Sequence, residues 1–496
     1  MFKKTIRNRI MSNSVRFNIT EKSKPIIMFN IGALFDIPTA NFIKGSKGET
    51  IINGGLGPIT GIVGHGNNFK STIMHYMALS ALNRIYSVIY SSMLTYDTEI
   101  NISLDRLNHL GYRMEYLPED LIKSENPLWE ITDKSKMSAN EWYKKIVEYT
   151  KEKTKSKDGK VKLNAFLDPY TRKELEITIP SLAQIDSMSE FEPESTVDVL
   201  SGDLDDSSTN TYAMKQGGYK SKLMSQLPRI ANSSNTYIMM TAHIGAKINM
   251  ETGPMAKYNQ PTKKLQHIKK DDAVKGVSDK FYFLLNQAYY AHTATVLKNK
   301  TTKQAEYPIK DEESFDTDLN LVKLTFMRNK NGGSGNTIEL VVSQIDGVLP
   351  TLTEFHHIKT NDRYGLDGSN INYHLSLYPD VNLTRTNVRS KIDLDEKLRR
   401  AINITSELLQ LKKHHPTLVR SGVYCTPSEL YNDIKELGYD WDILLSTRGW
   451  WAIDNYSEDL DPYLSTLDLL YMRKGTYIPY WYPDKDKIKK VDNEKK

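Results

Sequence analysis

Gly64-His65-Gly66-Asn67-Asn68-Phe69-Lys70-Ser71-Thr72 is the stretch of this sequence with the clearest functional pattern. The apolar run 59–63 precedes it and predicts a buried strand, while residues 71–83 carry apolar side chains at helical spacing. A strand, a loop and a Lys-Ser pair at a helix start form a phosphate cradle. In such a cradle backbone N–H groups face the anion, the lysine reaches the β- and γ-phosphates, and the hydroxyl holds Mg²⁺. We therefore predict that residues 64–72 bind ATP, with Ser71 as a ligand of Mg²⁺.

One position departs from the usual pattern G-x-x-x-x-G-K-[ST]. Its second glycine is replaced by Phe69, whereas the lysine and the hydroxyl that follow are both present as Lys70 and Ser71. The departure weakens the pattern match but keeps the groups that do the chemistry.

Composition limits the class of protein. A chain of 496 residues is too long for one compact core, so two or three domains are expected. Its content of 39% hydrophobic and 26% charged residues is ordinary for soluble proteins. No apolar run reaches the ~18 residues of a membrane span, and the basic N-terminus lacks the apolar stretch of a signal peptide. A single cysteine, Cys425, excludes an internal disulfide and a cysteine-built metal site. We expect a cytoplasmic protein without membrane contact, and its net charge of +5 permits nucleic-acid binding without establishing it.

Three polar side chains follow predicted strands. Glu99 comes after the run 93–97, Asp186 after 182–185 and His243 after 237–242. The carboxyl ends of parallel strands meet at one crevice, so these groups are expected beside the phosphate loop. There Glu99 could polarise the water that attacks a γ-phosphate, and Asp186 could be the second anchor of Mg²⁺. The alternatives are a solvated turn carboxylate at Glu99 and a structural histidine at His243.

Basic residues cluster after the last of these strands. Residues 245–280 form a long basic segment broken by Gly-Pro and Gln-Pro pairs, which suits a mobile loop that grips nucleic acid. The lysines that we predict to contact nucleic acid are Lys247, Lys257, Lys263, Lys264, Lys269 and Lys270. Residues 190–212 are predicted to form a second flexible loop, and the lysine-rich run 144–162 is more simply a solvated face.

The domain organisation follows from these patterns. Residues 1–24 are expected to be a flexible basic arm, and 25–354 an α/β core with a mostly parallel twisted sheet and an insertion at about 130–180. Residues 355–392 are polar and predict a linker. Residues 393–496 predict a small, mainly α accessory domain of winged-helix-like type, with a helix capped at its start by Thr426.

Taken in order, the motifs resemble those of RecA-type recombinases. The sequences concerned are Gly54-Gly55-Leu56-Gly57, Phe69-Lys70-Ser71, Tyr96-Asp97-Thr98-Glu99, Ile185-Asp186-Ser187 and His243. The phage UvsX-like branch is nearest, because it too has phenylalanine before the loop lysine and histidine at the end of the later strand. The resemblance covers about residues 25–350. The long spacing from Lys70 to Asp186 and the region after 355 depart from it.

The resemblance implies a RecA-like P-loop ATPase core and a DNA-dependent ATPase that uses ATP and Mg²⁺. Lys70 and Ser71 would hold phosphates and Mg²⁺, Glu99 would activate water, and Asp186 would anchor Mg²⁺ through water. His243 would sense the γ-phosphate. Arg328 and Lys330 stand where this family places cations that reach the ATP of a neighbouring subunit.

In the same reading, segments 190–215 and 245–278 would bind single-stranded DNA along the axis of a homo-oligomeric filament. The protein would serve recombination, repair and replication of phage DNA, with phage replication and recombination proteins as further partners.

Two alternatives remain open. A DnaB-like hexameric replicative helicase shares the core, and the run 328–337 resembles the arginine-finger hairpin of that class. The short region before the phosphate loop and the sequence Tyr96-Asp97-Thr98-Glu99 count against a helicase. The second alternative is a non-catalytic, ATP-bound, DNA-organising protein, which Phe69 and Gln184 allow but the intact Lys70 and Glu99 oppose.

Overall fold

The computed structural model describes residues 25–85, 91–192, 206–246, 267, 272–277, 280–309, 316–369 and 371–489. The predicted N-terminal arm 1–24 lies outside these ranges. Among the helices that can be described, none is both long and apolar enough to cross a membrane.

The chain is an α/β protein built on a large mixed sheet, an arrangement compatible with a Rossmann-like core. Strands β11, β3, β9, β8, β4 and β5 are adjacent in that order and parallel, whereas β13, β14 and β15 continue the sheet in antiparallel fashion beyond β11. Strand β10 pairs with β9, and β12 with β13. The strands are β1 (Asn41–Lys44), β2 (Thr50–Asn53), β3 (Ile59–Gly64), β4 (Met93–Asp97), β5 (Trp129–Asp133), β6 (Lys160–Leu167), β7 (Glu174–Thr178), β8 (Ser181–Asp186), β9 (Thr236–Ala246), β10 (Asp272–Val274), β11 (Gln287–Ala291), β12 (Thr295–Val296), β13 (Leu319–Asn329), β14 (Thr337–Ser343), β15 (Gly347–Val348), β16 (Leu366–Gly368), β17 (Tyr373–Leu375) and β18 (Tyr378–Leu383).

Helices cover both faces of the sheet and form most of the C-terminal region. They are α1 (Ala33–Thr39), α2 (Lys70–Leu82), α3 (Leu104–Tyr112), α4 (Ala139–Lys155), α5 (Asp206–Ser234), α6 (Lys280–Leu284), α7 (Pro350–Thr360), α8 (Val388–Leu394), α9 (Glu396–His414), α10 (Pro416–Arg420), α11 (Pro427–Glu436), α12 (Trp441–Leu445) and α13 (Thr466–Arg473).

The central strands are buried on both faces, which explains why they read as apolar runs rather than as alternating patterns. All six residues of β3 are buried. Ile62 and Met239 belong to the core that contains α2, whereas Val63 and Met240 belong to the core that contains α4 and α5. This period of two fixes which face each strand residue presents.

Most elements predicted around the phosphate loop are confirmed. The strand at 59–63 and the helix at 71–83 appear as β3 and α2. Within the insertion predicted at about 130–180, β6 and β7 form an antiparallel pair. The helix expected near 426–437 is α11, in which Thr426 and Glu429 form a reciprocal capping box.

Several predicted elements are wrong. The polar linker at 355–392 holds the end of α7, the three-stranded sheet β16–β17–β18 and α8. The loop predicted up to residue 212 gives way to α5 from Asp206 onward.

The C-terminal region packs directly on the core. One apolar cluster joins Ile37 and Val341 of the core with Leu398 and Leu470 of the C-terminal helices. Residues 393–489, the described part of the accessory domain, are mainly helical and contain no β-hairpin, so the wing of a winged helix is not found there.

Candidate functional site

The phosphate loop leaves the centre of the parallel sheet. At the end of β3, Gly64 pairs with His243 of β9 on one side and with Ala291 of β11 on the other. The loop then turns through two left-handed residues, Asn67 at φ 59° and Phe69 at φ 56°, and enters α2 at Lys70. The position where the pattern expects glycine is thus one where glycine is the unstrained residue, and Phe69 adopts that conformation with a bulky side chain.

The loop has the properties of an anion cradle. The first backbone N–H groups of α2 have no carbonyl partner within the helix, and they stand at its positive end. A Cβ atom on Gly66 would meet nothing within 4 Å, so the loop is open above this residue. These features fit a bound phosphate group.

Lys70 is buried beneath the loop with only 7% of its surface exposed. Its Nζ donates a hydrogen bond to the carbonyl oxygen of His65 at 2.7 Å, an acceptor that phosphate oxygens could replace. Burial lowers the pKa of Lys70, while the nearby carboxylates of Asp186 and Glu99 act in the opposite direction. The charges predicted to handle ATP therefore lie close enough to influence one another.

Glu99 and His243 form a direct contact. The Nε2 atom of His243 donates to Oε1 of Glu99 at 2.7 Å, and Nδ2 of Asn101 donates to Oε2 at 3.2 Å. Burial works to raise the pKa of Glu99, but the hydrogen bond and charge of His243, with help from Ser187 and Lys70, lower it overall. The carboxylate is therefore ionised at neutral pH, as a group that accepts a proton must be.

Sequence reasoning missed the role of Asp97. Its two carboxylate oxygens accept hydrogen bonds from four consecutive backbone N–H groups, those of residues 99–102, at 2.9–3.0 Å. These bonds fix the turn that presents Glu99 at the end of β4. The sequence could have indicated this role of Asp97, because an aspartate side chain commonly accepts hydrogen bonds from the backbone N–H groups of the turn that follows it.

Asp186 ends β8 opposite Asp97 of β4, and it is almost fully buried. Its Oδ1 accepts a hydrogen bond from the hydroxyl of Thr241. Thr241 lies two residues before His243 and so belongs to the same face of β9. It is a second group that sequence analysis did not single out.

Gln184, which interrupts the apolar run of β8, belongs to a buried polar network beside the site. Its Oε1 accepts hydrogen bonds from Thr95 Oγ1 at 2.6 Å and from His75 Nδ1 at 3.0 Å. Trp129 Nε1 in turn donates to Thr95 Oγ1 at 2.8 Å. The network ties α2 to strands β4, β5 and β8 directly below the phosphate loop.

Arg328 and Lys330 lie away from this cluster. Arg328 pairs with Ala288 on β11, whereas the residue of β11 beside Gly64 is Ala291, about 10 Å further along the strand. The guanidinium of Arg328 donates to the carbonyl oxygens of Leu285 and Phe283 at 3.0 and 3.1 Å. Lys330 is exposed at the start of the hairpin between β13 and β14. The structure does not bring these two cations to the phosphate loop of their own chain.

The six lysines predicted to bind nucleic acid all lie outside the described residues. The strands on either side of this segment are described, and β10 pairs with the end of β9 through Ala273 and Gly245. The basic segment thus leaves and re-enters the sheet within a few residues of His243. Ser189 connects the two ends of the segment, because its Oγ accepts a hydrogen bond from the backbone N–H of His243 at 2.9 Å and donates one to the carbonyl oxygen of Lys275 at 2.9 Å.

No family model matches the chain, and no curated protein is significantly similar to it.

Proposed function

We propose that this chain is an ATP-hydrolysing protein of the RecA-like P-loop class. The observation that carries the proposal is the gathering of Lys70, Glu99, Asp186 and His243 at the carboxyl ends of the adjacent parallel strands β3, β4, β8 and β9. Each residue type suits the task assigned to it from the sequence. Open parallel sheets bind their ligands at this edge.

The reaction is the hydrolysis of ATP to ADP and phosphate. Glu99 takes a proton from the attacking water while the oxygen of that water bonds to the γ-phosphorus. The bond between the γ-phosphorus and the β–γ bridging oxygen breaks, and ADP leaves. Lys70 and the N-terminal N–H groups of α2 stabilise the negative charge of the phosphates. Ser71 and Asp186 would hold Mg²⁺, which neutralises phosphate charge when bound. His243 holds Glu99 in place and would respond to loss of the γ-phosphate.

We further infer that the protein binds single-stranded DNA and assembles into recombinase filaments. The basic segment after β9 begins four residues beyond His243, so binding of DNA to it would act on the residue that contacts Glu99. Arg328 and Lys330 lie at the opposite end of the strands from their own loop, which suits cations that serve the ATP of a neighbouring subunit. Such cations would make ATP part of the contact between subunits, and hydrolysis of ATP would weaken that contact.

A hexameric helicase of the DnaB-like class is the second candidate. The observation in its favour is the hairpin between β13 and β14, whose glycine-rich turn carries Arg328 and Lys330 at its entry. This hairpin suits a ring as well as a filament. The assembly state therefore distinguishes the two candidates.

Electron microscopy of the protein with ATP and single-stranded DNA, combined with a forked-duplex unwinding assay, tests this choice. We expect extended helical filaments and no unwinding. Closed rings that unwind forks would instead establish the helicase. A matched sample of the Lys70→Ala variant should form neither assembly in an ATP-dependent way.

A further inference from the structure

A cavity that shares only Thr72 with the stretch 64–72 lies between α2 and the C-terminal region. Its volume is about 720 Å³, within the range of ~300–1,000 Å³ typical of sites for small organic ligands. One wall is the face of α2 that carries Tyr76, Leu79 and Ser80, and the facing wall is α9, with Arg399 and Asn403. The cavity uses neither Lys70 nor the residues that gather around Glu99.

Arg84 is the distinctive group in this cavity. Its guanidinium stacks on the ring of Trp450 at 3.6 Å, and Nε is buried without an acceptor. Across the described ranges of the chain, the Arg84 side chain makes no hydrogen bond and no ion pair. Burial lowers its pKa to about 10, so the group keeps its charge at neutral pH. Arg84 as a whole is half-buried, but a buried guanidinium N–H without an acceptor is costly unless something else satisfies it.

The other arginines of the cavity are already engaged. Arg113 pairs with Asp346, Arg389 with Asp318 and Asp346, and Arg399 with Glu396, while Arg400 donates to Asn403 and Leu464, and Arg448 donates to Asp461, Trp450 and Asn455. These partners hold the walls in place. Nε of Arg400, like that of Arg84, is buried without an acceptor, but the guanidinium of Arg400 donates through its other nitrogens.

Carboxyl groups also line the cavity, and those of Asp36 and Glu115 act on the charge of Arg84 without forming an ion pair with it in the described part of the chain. Burial raises the pKa of Asp36 well above its usual range and the pKa of Glu354 to about 7. Asp36 also accepts hydrogen bonds from the backbone N–H groups of Ile31 and Gly32, and Glu354 accepts one from Ala33. Both carboxyls are thus committed to α1 and the segment before it.

The remaining lining mixes polar and acidic residues with an apolar part. Leu79, Leu110, Met114 and Val348 contribute hydrocarbon surface, and Trp450 adds an aromatic ring. A ligand that fits this lining combines an anionic group with an apolar body. Guanidinium groups bind phosphate and carboxylate oxygens in a bidentate manner, which would give Arg84 the partners that it lacks.

We propose that this cavity is a binding site for a small organic anion, with its phosphate or carboxylate on Arg84 and its apolar or aromatic body against Leu79, Met114 and Trp450. The site is independent of the proposed ATPase activity. It would add a small-molecule ligand to a protein whose other expected ligands are ATP and DNA.

Isothermal titration calorimetry of the full-length Lys70→Ala variant tests the proposal, because this background silences the phosphate loop. The probes are phenyl phosphate, benzoate and inorganic phosphate. We expect one of the two aromatic anions to bind at least about tenfold more tightly than inorganic phosphate, and the tighter one identifies the preferred anionic group. Adding Arg84→Gln should weaken that binding by at least about tenfold, whereas adding Arg420→Gln, an exposed arginine, should leave it unchanged.

Arg84→Lys and Trp450→Leu keep the test decisive if Arg84→Gln does not fold. The lysine variant should bind better than any uncharged replacement and worse than the parent, and the leucine variant should lose affinity for the aromatic probes. The proposal is overturned if neither aromatic anion binds, if folded Arg84 and Trp450 variants bind as the parent does, or if binding seen in the wild-type protein disappears with Lys70→Ala.

Discussion

His243 and Glu99 are 144 residues apart in sequence, yet Nε2 of the histidine lies 2.7 Å from Oε1 of the glutamate. The contact joins the ends of two strands, β4 and β9, that are separated in the sheet by β8 alone. It couples the residue proposed to activate water with the strand that leads into the basic segment.

The contact predicts a pH effect on ATP hydrolysis. Because His243 is the chief reason that the pKa of Glu99 is lowered, His243→Phe should let burial raise that pKa. Glu99 must be ionised to act, so the acidic limb of the pH–rate profile should move to higher pH in the variant. Asn101→Ala, which removes only a more exposed hydrogen bond to Glu99, serves as the control. An unshifted limb in His243→Phe would argue against Glu99 as the proton acceptor.

Because Gln184 belongs to a buried polar network, we predict that replacing it destabilises the protein. Gln184→Leu would leave the buried donors of His75 and Thr95 without their acceptor, at a cost of about 1–3 kcal/mol in the free energy of unfolding. Urea denaturation measures this cost, and Gln344→Leu at an exposed position provides the matched change. Equal stability of the two variants would mean that the network contributes nothing.

Because of Lys153, we predict that the free energy of unfolding rises with pH. Lys153 is fully buried, its Nζ donates to Ser181 Oγ at 2.6 Å, and burial lowers its pKa from 10.5 to about 7. Between these two values the unfolded chain binds more protons than the folded one, so the folded state gains stability as pH increases. Relative to Lys153→Met, the wild-type free energy of unfolding should rise by up to about 1.4 kcal/mol per pH unit from pH 7 to 10.5.

The control for this measurement is Lys151→Met, two residues earlier on the exposed side of α4. Its stability difference from the wild type should not change with pH over the same interval. A flat difference for Lys153→Met as well would show that the lysine keeps its proton in the folded protein.

The position of Arg328 predicts complementation between subunits. Arg328→Ala and Lys70→Ala should each abolish ATP hydrolysis alone, because one lacks the cation offered to a neighbour and the other lacks a working phosphate loop. Mixing the two should restore part of the activity, since an intact loop then meets an intact Arg328 at some subunit contacts. A mixture of Lys70→Ala with Glu99→Gln, both defective at the same site, should recover nothing. Absence of recovery in the first mixture would refute a role in trans.

The patterns that predicted most of this architecture are local. An apolar run before a glycine-containing loop indicates β3 and α2 whatever the rest of the chain does. The rule that parallel strands end at one edge then brings Glu99, Asp186 and His243 to the loop. What the sequence did not reveal depends on neighbours distant in the chain. Gln184 looks out of place in an apolar strand until His75 and Thr95 are seen beside it.

The segment 355–392 illustrates the same limit. Its strands are only three to six residues long and largely polar, so neither period nor propensity distinguishes them from loops. They are ordered by packing, since Tyr373 and Leu375 enter the apolar cluster shared with the C-terminal helices. The cavity around Arg84 was equally invisible, because its walls come from segments more than 300 residues apart.

The most direct test of the central claim is the steady-state rate of ATP hydrolysis, measured with and without single-stranded DNA, for the wild type and Glu99→Gln. We expect DNA to stimulate the wild-type rate, and Glu99→Gln to lower the stimulated rate by about 10²–10⁴-fold while ATP still binds. A wild-type protein that binds ATP but hydrolyses it no faster than Glu99→Gln, with DNA present, would contradict the account.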